Sequence, residues 1–309
     1  MKHLFSVRRL LPLAMSLMLG VALSNCSSRP NASKVSETAV YCHLFDPASQ
    51  EEVSRAMMRS GLAEANVSAF IESVRQFYDA VGGLGLVREG YEPLEESSTH
   101  FDAEMIQMAW DARYPSFAGY NCRITSFALL QDLIRVDHPI QERPETLFFD
   151  DEALDSCGRM LLHQRDNFYS VFSPVPTAYD QEIKGHVSRM QEAWRKMGIS
   201  FPHKGDPTKA SLISVVMHSA ITPEDSYLFV GHAGVLIPTD DGLLFVEKLS
   251  FQAPYMLIRF PDRTALNDYL MRMYDTEWGQ PTASPFLLEN DELLEGYRPN
   301  PNKPTGQDE

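Results

Sequence analysis

The sequence predicts an α+β fold, with helices in its first half and an antiparallel sheet in its second. Apolar residues recur at helical spacing between residues 49 and 134, and the period changes to two after the breaker run Pro202-His-Lys-Gly-Asp-Pro-Thr208. Strands do not alternate with helices and no internal repeat is present, which argues against a parallel βαβ sheet or a solenoid. With 309 residues, 44% of them hydrophobic, the chain has enough apolar surface to bury a sizeable core.

In chain order, Ser49-Gln-Glu-Glu52 reads as a capping box that opens a helix running to about Arg59, with Gly61 as its stop. Asn66 is placed to cap the next helix, whose buried face is Val67, Phe70, Ile71, Val74, Phe77, Tyr78 and Val81, and Gly82-Gly83-Leu84-Gly85 ends it. Residues 86–100 read as a polar loop and Asp102 to Arg113 as a short helix. Cys122 opens a largely buried helix through Ile134, residues 144–175 mix short helix with loop, and Asp180 to Met197 is helical again. Strands follow at Leu212–Met217, Leu228–Ile237, Leu243–Leu249 and Met256–Phe260, and Asp262 opens a last helix. These elements make one domain over residues 41–296, followed by a Pro-rich polar tail, 297–309, read as disordered.

The start of the chain predicts the compartment. Lys2, Arg8 and Arg9 precede an apolar stretch, Leu10 to Leu23, which is too short to span a bilayer and reads as a secretory signal over residues 1–25. Its end, Leu23-Ser24-Asn25-Cys26, resembles a bacterial lipobox, although Gly or Ala is commoner where Asn25 stands. That resemblance implies a lipid on Cys26 and a membrane-anchored protein facing outside the cytoplasm, in the outer membrane if the host has one. A plain signal peptide cut nearby and an N-terminal core helix are the alternatives. Residues 26–40 then form a flexible tether. Cleavage before Cys26 removes three cations and no acid, leaving 24 basic against 42 acidic residues and a charge of −18. A chain this acidic has no global attraction to phosphate backbones, so nucleic acid is not an expected partner.

Four cysteines occur: Cys26, Cys42, Cys122 and Cys157. No Cys-x-x-Cys and no Cys/His spacing suited to zinc is present, so no metal and no cofactor is expected. With Cys26 assigned to lipid, three remain. Parity leaves at least one thiol unpaired, and the expected pairing is Cys42 with Cys157, which leaves Cys122 free.

The candidate chemistry lies in three residues. Cys122 stands at a helix N-terminus, where the helix dipole favours a thiolate. His232, in Gly231-His-Ala-Gly234, lies in a strand that the turn Thr239-Asp-Asp-Gly242 joins to the strand carrying Glu247. Pairing around that turn sets His232 opposite Glu247 or Lys248, a one-residue choice that decides whether a carboxylate holds the imidazole. In this reading Cys122 is the nucleophile, His232 moves the proton, and Glu247, or in reserve Gln252, orients the ring. A backbone N–H beside Cys122, helped by Asn121 or Tyr120, binds the oxyanion, and Gly231 and Gly234 leave room for substrate. His218 is the reserve histidine, read as a buried, hydrogen-bonded core residue, and His186 reads as solvent-facing.

The order of helix-N-terminal Cys122, strand His232 and a polar residue on the next strand resembles the papain-like superfamily over residues 115–262, in the style of bacterial cell-wall endopeptidases and amidases. The blocks YNCRITSF, ASLISVVMH, LFVGHAGVL and LFVEKLSFQAPY more closely resemble an uncharacterised bacterial family of secreted lipoproteins, a domain of unknown function. Two functions are therefore expected as alternatives. One is a lipid-anchored cysteine amidase or peptidase acting on envelope amide bonds, with peptidoglycan or a peptide as substrate. The other is a non-catalytic envelope lipoprotein binding a peptide, glycan or protein. An open cleft uniting Cys122 with His232 favours the first, and a sealed Cys122 remote from His232 favours the second.

Overall fold

The computed structural model describes residues 38–83, 86–156 and 162–303. The signal segment, Cys26, all but the last residues of the tether, and Cys157 lie outside the described residues. Cys42 is described and its thiol is free, not paired as the expected Cys42–Cys157 bridge requires. The α+β prediction holds: eight helices pack with a sheet that occupies mainly the second half of the chain.

The sheet is built on four long strands, β6 (Ser211–Ala220), β7 (Ser226–Thr239), β8 (Gly242–Lys248) and β9 (Tyr255–Phe260), which are neighbours in that order. β1 (Val40–Cys42) and then β2 (Glu92–Pro93) extend it beyond β9, while β10 (Phe286–Glu289) and then β11 (Glu292–Leu293) extend it beyond β6. β4 (Val175–Pro176) adds a short pairing on β7, and β3 (Arg135–Val136) pairs β5 (Ile199–Ser200) apart from the main sheet. All described pairings are antiparallel. From His232 to Ile237 and from Leu243 to Lys248 every residue is buried. Successive side chains of a strand point to opposite faces, so the sheet is covered on both faces along these stretches.

The helices are α1 (Pro47–Arg59), α2 (Glu64–Val81), α3 (Ala103–Arg113), α4 (Cys122–Leu130), α5 (Phe148–Ser156), α6 (Arg165–Phe172), α7 (Ile183–Lys196) and α8 (Arg263–Tyr274). α4 is the helix that matters for the site. It packs on β7 and β8 and against α2 and α6. Its Phe127 is fully buried and meets the rings of Phe168 and Phe172 edge-on, at 5.7 and 6.3 Å. Truncating such a residue to alanine costs about 3–5 kcal/mol, so α4 is fixed firmly to the core. No described helix is long and apolar enough to cross a membrane.

Several local expectations are corrected. α1 is capped by Asp46, whose carboxylate accepts the Ser49 N–H at 2.9 Å, with Pro47 in the first helical turn, and not by a Ser49–Glu52 box. Asn66 lies inside α2, where its amide reaches Asp132 at 3.0 Å and ties α2 to the end of α4, while Ala63 holds the cap position. The 86–100 loop contains β2 and a short 3-10 turn, Glu96–Thr99. The expected tail begins later than 297: the Tyr297 hydroxyl donates to the Pro285 carbonyl at 3.0 Å. Asn300 is buried, and its side-chain amide donates to the Asp275 carbonyl at 2.8 Å.

Candidate active site

α4 starts at Cys122 because Asn121 caps it. The Asn121 side-chain oxygen accepts the Ile124 N–H at 3.0 Å, and the Asn121 carbonyl accepts from Thr125 at 3.0 Å. The N–H groups of Cys122 and Arg123 have no acceptor within the helix. The other end of the Asn121 amide donates to Asp150 of α5 at 2.9 Å. Asp150 is fully buried and also receives Arg123 at 3.0 and 2.6 Å, while Arg123 donates a further bond to the Val230 carbonyl of β7 at 3.1 Å. One carboxylate thus fixes both neighbours of Cys122. Asn121 is spent on the cap and on Asp150, so it is not free to bind an oxyanion as expected.

The β7–β8 hairpin supplies the second half. Thr239 pairs with Gly242 across a two-residue turn, and the register carries this to Gly234 opposite Glu247. His232 is therefore diagonal to Glu247 on the same face, neither directly opposite it nor opposite Lys248. A β-bulge precedes His232: Val215 and Val216 of β6 pair with His232 and Val230, leaving Gly231 as the extra residue. Bulges re-aim the strand locally, and this one sits immediately before the histidine.

His232 Nε2 lies 2.7 Å from Glu247 Oε2. The other carboxylate oxygen, Oε1, accepts the Tyr269 hydroxyl of α8. The Tyr274 ring of α8 stacks on the imidazole, 5.2 Å between centroids and 20° between planes. His232 Nδ1 is buried without a hydrogen-bond partner, and the imidazole is near enough to Cys122 for the two groups to shift each other's proton affinity. The structure thus brings Cys122, His232 and Glu247 together in one chain of contacts, with exposures of 5%, 1% and 0%.

The charges follow from this geometry. Burial opposes a cation at His232, but the thiol and Glu247 overcome it and lift the pKa to about 10. Burial likewise opposes a thiolate at Cys122. The neighbouring His232 imidazole and its charge, the Arg123 guanidinium and the Ala233 N–H outweigh it and hold the thiol below its ordinary value. Both shifts run toward the charged forms, thiolate at Cys122 and imidazolium at His232.

Other expected participants are elsewhere. Gln252 donates to Gln107. Tyr120 is buried with its ring against Phe117. Gly231 and Gly234 do not leave space for substrate, because a Cβ at Gly231 would lie 2.5 Å from the Met217 sulfur and one at Gly234 would lie 2.2 Å from the Phe245 ring. Lys248 is fully buried on the opposite face, its ammonium donating to the carbonyls of Ser250, Phe251 and Ala253 over the rings of Phe77 and Tyr255. His186 is not solvent-facing: it is 1% exposed and bonded to Thr177 Oγ1 at 2.7 Å. His218 is hydrogen-bonded, to Ser226 and the Ala283 N–H, but only half-buried. Among the described residues no group of three or more His, Cys, Asp or Glu is arranged to hold a metal ion.

A family model for a domain of unknown function, DUF4300, matches residues 40–294. The chain belongs to the DUF4300 family. The family match spans every strand of the sheet up to β11 and includes Cys122, His232 and Glu247. No curated protein and no solved structure matches the chain. Sequence reasoning missed Tyr269, Tyr274 and Asp150. Tyr269 shares the helical spacing of Leu266, Leu270 and Met273 and so reads as part of an apolar helix face, Tyr274 carries no local signal, and Asp150 sits in a segment whose pattern fixed no element.

Proposed function

We propose that the chain is a cell-envelope cysteine hydrolase, anchored through a lipid on Cys26, that cleaves amide bonds of peptidoglycan or peptides. The single observation supporting this reading is the buried contact chain from Cys122 through His232 to Glu247, with 2.7 Å between the last two. In the proposed reaction the Cys122 thiolate attacks the amide carbon, a C–S bond forms, and the carbonyl electron pair moves to oxygen. The N–H groups of Cys122 and Arg123 at the start of α4 are the donors available to that oxyanion. When the intermediate collapses the C–N bond breaks and His232 gives its proton to the leaving amine. Water, deprotonated by His232, then attacks the thioester, and the acid product leaves as Cys122 and His232 regain their starting charges. The helix-first, sheet-second order around these residues is the resemblance to papain-like amidases noted above.

The test uses the full chain with purified peptidoglycan and with an envelope peptide mixture, and new amino termini are read by mass spectrometry. New termini with the wild type and none with Cys122→Ser or His232→Ala support the reading. The second reading, a non-catalytic binding lipoprotein, is favoured by the 5% exposure of Cys122. It takes over if no new termini arise while peptidoglycan still retains the protein. The anchor has its own test: a fatty-acid analogue labels the wild type but not Cys26→Ala, and label surviving the substitution removes the anchor.

A further inference from the structure

We propose that Tyr269 is a positioning residue of the Cys122 site, whose hydroxyl completes the hydrogen-bonding of Glu247 and thereby fixes the carboxylate that holds His232. The inference rests on Cys122 being the nucleophile. Its own ground is geometric. Glu247 has no exposure to solvent, so each carboxylate oxygen needs a donor from the protein. Oε2 takes the imidazole N–H at 2.7 Å and Oε1 takes the Tyr269 hydroxyl. No water can replace Tyr269 at a fully covered oxygen without the site opening. A carboxylate with one oxygen unmet is a poorer and less fixed partner for a cation.

The groups facing His232 are few. β8 gives Glu247, α4 gives Cys122 with Arg123 beside it, and α8 gives Tyr269 and Tyr274. Tyr269 is the one that touches the imidazole only through Glu247. Its phenol stays protonated, since burial and the adjacent carboxylate both hold its pKa well above the ordinary value, so it is a donor at any working pH. Tyr274 stacks on the ring and limits its rotation about the Glu247 bond. α8 thus contacts both the histidine and its carboxylate.

The experiment measures iodoacetamide alkylation of Cys122 against pH, read on the Cys122 peptide by mass spectrometry, in the full-length chain. The wild type is expected to alkylate below the pH range of an ordinary thiol. Tyr269→Phe keeps the ring against Phe260, 5.5 Å away, and loses one oxygen atom. Its profile is expected to move toward an ordinary thiol by about one pH unit, so that alkylation near pH 6 slows about tenfold. Phe260→Leu disturbs the same packing and keeps the hydroxyl. It is expected to lower thermal stability and leave the profile in place. A Tyr269→Phe profile that superimposes on a shifted wild-type profile overturns the proposal and leaves the nucleophile reading standing. So does an equal displacement by Phe260→Leu, which would trace the effect to packing. A wild-type profile already ordinary removes the nucleophile reading, and the role of Tyr269 falls with it.

Discussion

Cys42 and Cys122 are both free thiols, both buried, and they carry opposite chemistry. Cys42, in β1, is 1% exposed, and burial pushes its thiol up to about 11, with Asp46 and Glu52 adding negative charge nearby. Cys122 is 5% exposed, and its thiol is held below the ordinary value. The bonds from the Leu44 backbone and the Ser49 hydroxyl at Cys42 are too weak against desolvation. At Cys122 a charged imidazole, itself held by a carboxylate, is strong enough. Burial by itself therefore makes a thiol inert, and a buried cation in contact with it reverses the outcome.

The largest expected effect on this contrast comes from Asp150. Asp150→Ala leaves Arg123 without its buried partner and frees Asn121, at a cost of about 3–5 kcal/mol. A Tm fall of roughly 10 °C by calorimetry is expected for a domain of this size. A near-neutral result would mean that Arg123 reaches solvent and is not part of what sets Cys122 apart. Next is His232→Ala, which turns Cys122 into a second Cys42. Alkylation near neutral pH should slow by about a hundredfold, and an unchanged rate would erase the distinction.

The pair also sets a pH dependence. Folding raises the proton affinity of His232 and lowers that of Cys122, so the two shifts act on stability in opposite directions as pH rises. The contribution of the Cys122 thiolate is present above 9.0 and is lost as pH falls through its depressed folded value. Above 9.0 the folded pair holds one proton more than the unfolded chain, and stability falls until His232 titrates at about 10. The limb between 9.0 and about 10 has a slope of up to about 1.4 kcal/mol per pH unit, read as wild type minus the Cys122→Ala/His232→Ala double variant by denaturant titration. A flat difference would show that the pair is neutral in the fold. The smallest effect is that of Cys42→Ala, expected to cost about 1 kcal/mol for the lost sulfur and to leave the Cys122 alkylation profile unmoved.

The three central residues were legible because each carries a local signal: a cap before Cys122, glycines around His232, and a hairpin turn that places Glu247 on the next strand. The register was legible too, had the turn been counted as two residues. Thr239 opposite Gly242 leads directly to Gly234 opposite Glu247, hence the diagonal contact. Asp46-Pro47 likewise carried the signal for the start of α1, cap followed by Pro, which Ser49–Glu52 obscured. What sequence did not hold is long-range. Tyr269 is 22 residues from Glu247 and Asp150 is 29 from Asn121, and an amphipathic helix does not announce which of its polar tips meets a buried carboxylate. His186 was misplaced for the same reason: the segment carrying Thr177 and Asp180 folds over it from outside its own helix.

The sheet's outermost strands have a consequence for how partners reach this protein. β2 and β11 are two residues each, Glu92–Pro93 and Glu292–Leu293. Pro93 has no N–H to offer, and Glu92 and Glu292 put a negative charge on each rim. An extended peptide that docks by adding itself as another strand needs a run of free backbone donors and acceptors along an edge. Neither rim supplies one. Among the described residues, strand addition is therefore disfavoured at both ends of the main sheet path, from β2 to β11.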